Sequence, residues 1–253
     1  MDDFMFGKIM SDKQNCKRLL EIVLHIDPAT EIAEPETQGN IRAAPGTKSV
    51  IVDVRTRDAQ NDYDIEAQKR PRPDLPKRAR YYQAMMDVSF LEPGHDYTEL
   101  RNNYIIFICM TDPFGAGLPV YTFRNRCDED TGVLLGDHTT KVFLNAAGYD
   151  TIRDKELRSL MEYIKTERAT SRYTAEIERL VELARTTPRW RREYMDAMMA
   201  VRREELAEEQ GARKKALEAA RNALSLGLSV SQTAQISGLT EDEVQALRDK
   251  PDS

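Results

Sequence analysis

The 253-residue chain has little cysteine, a single tryptophan and no long apolar run. Cys16, Cys109 and Cys127 are too few and too scattered for a disulfide framework or a zinc site. A reducing, cytoplasmic setting is the expectation. No stretch approaches the roughly 20 apolar residues needed to span a bilayer, so no membrane is expected among the partners. The opening residues, with Asp2, Asp3 and Lys8, lack the basic start and apolar core of a signal peptide. Positive charge is short as well: 37 Lys and Arg stand against 43 Asp and Glu, a net charge of −6. Nucleic-acid binders present a basic surface, so this chain would have to gather its cations locally.

What is present suits one sizeable core with an appendage. Hydrophobic residues make up 40% and charged residues 32% of the chain, a balance that fits long polar helices. A first helix is expected over 12–25, followed by an irregular stretch over 27–46. Two extended runs come next, then the proline-broken connection Pro71-Arg72-Pro73-Asp74-Leu75-Pro76. Pro76 suits the first turn of a helix over 77–91. Strands are expected at 104–110, 120–124 and 141–145. The first of these is apolar throughout, as a central strand covered on both faces should be. Helices follow at 154–167, 175–185 and 189–210. The result is an α/β core with a mixed sheet flanked by helices, followed by a helical C-terminal region. The expected division is a core over 1–150, a helical extension over 151–210 and a small helix-turn-helix-like tail over 211–253.

The two extended runs carry the chemistry. Ser49-Val50-Ile51-Val52-Asp53-Val54 and Tyr63-Asp64-Ile65-Glu66-Ala67-Gln68-Lys69 flank the polar run Asp58-Ala59-Gln60-Asn61-Asp62. β-Branched residues and an intervening set of turn formers predict a hairpin. Side chains alternate faces along a strand. Val50, Val52 and Val54 therefore share one face, leaving Asp53 on the other. Tyr63, Ile65 and Ala67 share a face, leaving Asp64, Glu66 and Gln68 opposite. Antiparallel pairing can bring Asp53 near Glu66, although sequence does not fix the register. Two carboxylates can anchor Mg²⁺, a hard ion that takes oxygen ligands and keeps several waters. A bound metal can act on a phosphodiester as Lewis acid and water activator. An acid-rich solvent face of an ordinary hairpin is the alternative.

The hairpin resembles the D…ExK core of the PD-(D/E)xK nucleases, in its ExQ variant. Further segments resemble the Rpn family of recombination-promoting nucleases and transposases. These are Asp2-Asp3-Phe4-Met5-Phe6, Lys77-Arg78-Ala79-Arg80-Tyr81-Tyr82-Gln83-Ala84-Met85-Met86-Asp87, Tyr104-Ile105-Ile106-Phe107-Ile108-Cys109 with Asp112-Pro113-Phe114-Gly115, Tyr121-Thr122-Phe123-Arg124-Asn125-Arg126-Cys127, and Lys141-Val142-Phe143-Leu144-Asn145. The likeness covers roughly residues 1–210. It implies a restriction-endonuclease-like fold and a metal-dependent DNA endonuclease, linked to recombination or mobile DNA. By that resemblance Asp53 and Glu66 are catalytic and ligate Mg²⁺, with Mn²⁺ as an alternative ion and the carbonyl of Ala67 as a further ligand. Gln68 is the third catalytic position, where the common motif has lysine. Lys69 points to the other face by period two and does not replace it. Related folds add an acid from the first helix, for which Glu21 and Asp3 are candidates.

DNA is the expected partner. Lys69, Arg70, Arg72, Lys77, Arg78 and Arg80 form a basic stretch directly after the hairpin, and Arg70, Lys77 and Arg80 are taken as its phosphate contacts. Gln68 and the acidic total leave a catalytically weak DNA-binding or recombination accessory protein as the alternative. Trp190, Tyr194, Met195, Met198 and Met199 suggest an apolar stripe, hence core or a homodimer contact through the helical regions. In the tail, two short helices are expected around Gly238. Thr240 and Glu243 make a capping box. Glu241, Asp242 and Glu243 crowd the end that a DNA-reading helix would present, which favours a docking or oligomerisation role.

Overall fold

The computed structural model describes residues 3–41 and 50–249. Asp2 and Ser49 lie outside them, as do the side chains of Asp3, Phe4, Val50, Ile51, Val52 and Met198. The chain divides into two compact units, Met1–Arg191 and Arg192–Ser253.

The first unit opens with helices α1 (Asp3–Met10) and α2 (Lys13–Leu24). The carboxylate of Asp12 caps α2 by accepting from the Asn15 N–H at 2.9 Å, and His25 closes it in the left-handed region at φ 55°. Strands β1 (Glu36–Ile41), β2 (Val50–Arg57) and β3 (Asn61–Gln68) follow, then α3 (Leu75–Phe90), β4 (Asn102–Cys109), β5 (Val120–Phe123) and β6 (Thr139–Asn145). Helices α4 (Lys155–Thr166) and α5 (Arg172–Thr186) complete the unit, and α6 (Pro188–Ser225) begins in it and continues through the second.

The six strands form one sheet in the order β1-β2-β3-β4-β6-β5. β1, β2 and β3 pair antiparallel, β3, β4 and β6 run parallel, and β5 pairs antiparallel at the edge. The two parallel pairings need crossovers, and α3 supplies the one from β3 to β4. β4 is central and buried on both faces. Ile106 and Ile108 join Tyr63, Ile65, Val142 and Leu144 in a core with α1, α2, α4 and α5. Ile105, Phe107 and Cys109 face the other way, against Leu75, Ala79, Tyr82, Met85 and Met86 of α3. Leu157, Leu160, Met161 and Ile164 of α4 pack on the sheet at three- and four-residue spacing.

Three elements differ from the sequence expectation. α1 is an eight-residue helix where no helix is expected from the sequence. β1 lies within the stretch read as irregular: its sequence, ETQGNI, is poor in β-branched residues, and pairing with β2 is what makes it a strand. α6 runs through Gly211 to Ser225, past the expected end at 210.

The second unit has its own small core. Ala220 of α6 packs with Ala234 of α7 (Val230–Ser237), Leu239, and Val244 of α8 (Glu241–Asp249). Ser229 and Gln232 make a capping box for α7, and Gly238 ends it at φ 73°, a conformation that suits glycine. Thr240 and Glu243 exchange the bonds of a capping box at the start of α8, and Arg213 pairs with Glu243 at 2.6 Å. Two helices around Gly238 were legible in the sequence. Among the described residues no helix is long and apolar enough to cross a membrane.

Candidate active site

The register of β2 and β3 pairs Val54 with Ile65 and Arg55 with Asp64, so Asp53 falls opposite Glu66. There the side chains take over backbone donors. The Asp53 N–H donates to Glu66 Oε1, and the Ala67 N–H donates to Asp53 Oδ2, both at 2.9 Å. The two carboxylates are thus locked to each other's strands. The Met110 N–H donates to the Gln68 carbonyl at 3.0 Å, so Gln68 turns its backbone toward β4. Ala67, one residue earlier, turns its N–H and carbonyl the other way, toward Asp53.

Period two holds along β3. Val54, Tyr63 and Ile65 enter the apolar core, while Asp62, Asp64 and Glu66 are buried on the α3 face, followed by the half-buried Gln68. Asp64 is fully buried, no N–H or hydroxyl donor among the described residues reaches its oxygens, and its carboxyl lies against that of Glu66. Burial, then the charge of Asp53, pushes its carboxyl up to about 8, against the pull of Arg55 and Arg78. Glu66 is also raised well above the usual carboxylate range, by burial first and then by Asp64 and Asp53. Among the described residues no three His, Cys, Asp or Glu side chains are spaced to hold a metal ion by themselves. A metal here would rest on the acid pair, backbone oxygen and water.

The structure adds Arg78 to this site. Its Nη1 donates to Gln68 Oε1 at 3.0 Å, and its Nη2 lies 3.6 Å from Glu66 Oε2. In the sequence Arg78 stands within the basic stretch, alike in charge to its neighbours. Helix phase was the available signal, because Arg78 lies one turn before the buried Tyr82. The expected phosphate contacts Arg70, Lys77 and Arg80 are all exposed, Arg70 just past the end of β3 and Lys77 and Arg80 on α3. Lys69 is exposed as well. Glu21 is engaged elsewhere: Arg18 holds it at 2.7 Å and also reaches Glu156 of α4. Asp3 opens α1.

A mixed sheet with an acid pair at the opening of an antiparallel ladder, and helices on both faces, defines an α/β fold of the PD-(D/E)XK type. A family model described as "PD-(D/E)XK nuclease family transposase" matches residues 1–205. The chain belongs to that family, whose members are nucleases that generally use divalent metals, which supports a nuclease-like function with DNA as substrate. Searches of curated proteins and of solved structures gave no match.

Proposed function

We propose that the chain is a Mg²⁺-dependent DNA endonuclease of the cytoplasm, hydrolysing phosphodiester bonds in recombination or in the movement of DNA. Asp53 and Glu66 are its metal ligands, with the Ala67 carbonyl as a further ligand and Gln68 as the third polar group. The observation that carries this reading is the buried acid row. Asp64 lies beside Asp53 and Glu66 in a part of the protein that water does not reach, and burial and the neighbouring acids raise the carboxyls of Asp64 and Glu66. A divalent ion would supply the countercharge that lets these acids ionise. The donors are hard oxygens, which suits Mg²⁺ and also Mn²⁺. When bound, the ion polarises a phosphoryl oxygen and makes a nucleophile of water.

The residues of the chain do the rest. The Asp53 and Glu66 carboxylates are fixed by the cross-strand backbone bonds, so they need little reorganisation to bind. Gln68 can orient a water by hydrogen bonding but brings no charge. Arg70, Lys77 and Arg80 hold the DNA backbone, where each neutralised phosphate adds affinity. Met195, Met199 and Leu206 on α6 are exposed and serve a homodimer contact. The tail docks a partner or a second copy, since Glu241, Asp242 and Glu243 at the start of α8 would repel phosphates. The uncharged Gln68 favours one second reading, a weakly catalytic accessory protein on the same fold.

Cleavage of supercoiled plasmid tests the proposal. Cutting in Mg²⁺, absent in EDTA and lost in both Asp53→Ala and Glu66→Ala, is the expected result. Folded protein that cuts no DNA form with either ion supports the accessory reading. Cutting that survives both substitutions contradicts the site.

A further inference from the structure

Position 68 carries glutamine where the common motif of these nucleases has lysine, and Lys69 lies at the exposed surface. A cation nevertheless reaches the site, from the helix instead of the strand. Arg78 of α3 donates through Nη1 to Gln68 Oε1 at 3.0 Å and through Nη2 to the Tyr82 hydroxyl at 2.6 Å. Its guanidinium lies 5.2 Å from the centre of the Tyr82 ring and 5.9 Å from that of Phe107. Nη2 is 3.6 Å from Glu66 Oε2. The other end of the Gln68 amide is also held, with Nε2 donating to the Arg70 carbonyl at 2.8 Å.

This is not how a surface phosphate tether is held. Lys77 and Arg80 on the same helix are exposed, whereas the Arg78 side chain is only 24% exposed and is braced by two rings and two hydrogen bonds. Arginine suits such a place because its planar fork can donate in several directions and stack at the same time. We infer that Arg78 is a positioning residue of the nuclease site: it fixes the orientation of the Gln68 amide and supplies from α3 the positive charge that strand β3 lacks. The inference rests on the nuclease reading above. Without Arg78, the Gln68 amide oxygen loses its donor and only the bond from Nε2 to the Arg70 carbonyl holds the amide. The acid row also loses its nearest cation on that side.

These losses act with opposite signs on two observables. A cation beside Glu66 opposes a second cation, so its removal tightens divalent-ion binding. Loss of an oriented amide and a fixed charge slows the chemical step, by about a hundredfold if it resembles the loss of one preorganised donor. A residue that merely held the fold would weaken both.

The experiment uses the full chain as wild type, Arg78→Met, Arg78→Lys and Asp53→Asn. Mn²⁺ affinity is read from the electron paramagnetic resonance of the free ion, and plasmid cleavage gives kcat and KM. Arg78→Met is expected to bind Mn²⁺ several-fold more tightly, while kcat falls and KM for DNA stays near the wild-type value. Arg78→Lys, which keeps the charge and loses the fork, is expected to bind Mn²⁺ like the wild type with a reduced kcat. Unchanged or weaker Mn²⁺ binding by folded Arg78→Met, or wild-type kcat in it, overturns the inference. If Arg78→Met fails to fold, Arg78→Lys decides alone, and wild-type kcat in it overturns the inference. If wild type cuts no DNA, the Mn²⁺ arm decides. Equal cutting by wild type and Asp53→Asn would instead sink the nuclease reading.

Discussion

The two faces of the same sheet differ sharply. On one, Tyr63 and Ile65 of β3 meet Ile106, Ile108, Val142 and Leu144 under four helices, in an apolar core. On the other, the next residues along, Asp62, Asp64 and Glu66, are buried, with Arg78 of α3 3.6 Å from Glu66 and Arg55 and Arg101 against Asp62. Both sets are buried, but only the first gains free energy by it. The first face stabilises the strand; on the second, burial and neighbouring acids raise the Asp64 and Glu66 carboxyls, a cost that a bound cation would offset. The period of one strand divides the stabilising face from the proposed site.

Substitutions on either face can break or sharpen that contrast. The largest expected effect is on activity. Glu66→Gln keeps the shape of the side chain and removes its charge, so plasmid cleavage in Mg²⁺ should fall to background while the thermal midpoint does not fall. Next is Ile65→Ala, on the apolar face one residue before Glu66. It should cost about 2–5 kcal/mol of stability, read by urea denaturation, with Mn²⁺ affinity of the remaining folded protein little changed. If it instead abolished metal binding, the faces would not be separable.

Asp64→Asn should stabilise the metal-free protein, by a few degrees in thermal midpoint at pH 8. The sign follows from the raised carboxyl. A group whose folded value lies at about 8 and whose ordinary value is 3.8 gives the wild type full stability below about pH 4. That contribution is lost as pH rises toward and through 8. The advantage of asparagine should therefore grow between pH 4 and 8 and shrink when Mg²⁺ is added. A constant advantage across that range would remove Asp64 as the strained member of the row. The smallest effect is expected in the second unit. Gly238→Ala forces a side chain into the left-handed region and should cost about 1 kcal/mol, seen as faster amide exchange in α7 and α8, with cleavage unchanged.

The sequence disclosed this site in proportion to how strongly each residue depends on local pattern. Alternation along Tyr63–Gln68 needs no tertiary information, and the acid face was legible from it. The turn chemistry around Gly238 and the caps at Asp12 and Asp154 are equally local, and the helices they bound were found within a residue or two. β1 was missed because ETQGNI becomes a strand only through its pairing with β2. The register that sets Asp53 against Glu66 was open for the same reason: it depends on how two strands meet. Arg78 lay hidden among Lys77 and Arg80, since charge alone makes the three alike. Only the phase of α3, which turns Leu75, Ala79 and Tyr82 inward, singles it out.

The most direct test of the account is the thermal midpoint of the purified chain with and without Mg²⁺, beside Asp53→Asn and Glu66→Gln. Binding to the folded state alone raises the midpoint. The account predicts a Mg²⁺-dependent rise in wild type that disappears in both variants, each of which remains folded. A rise that persists in both, or its absence from wild type at saturating Mg²⁺, would contradict the claim that this acid pair holds the metal.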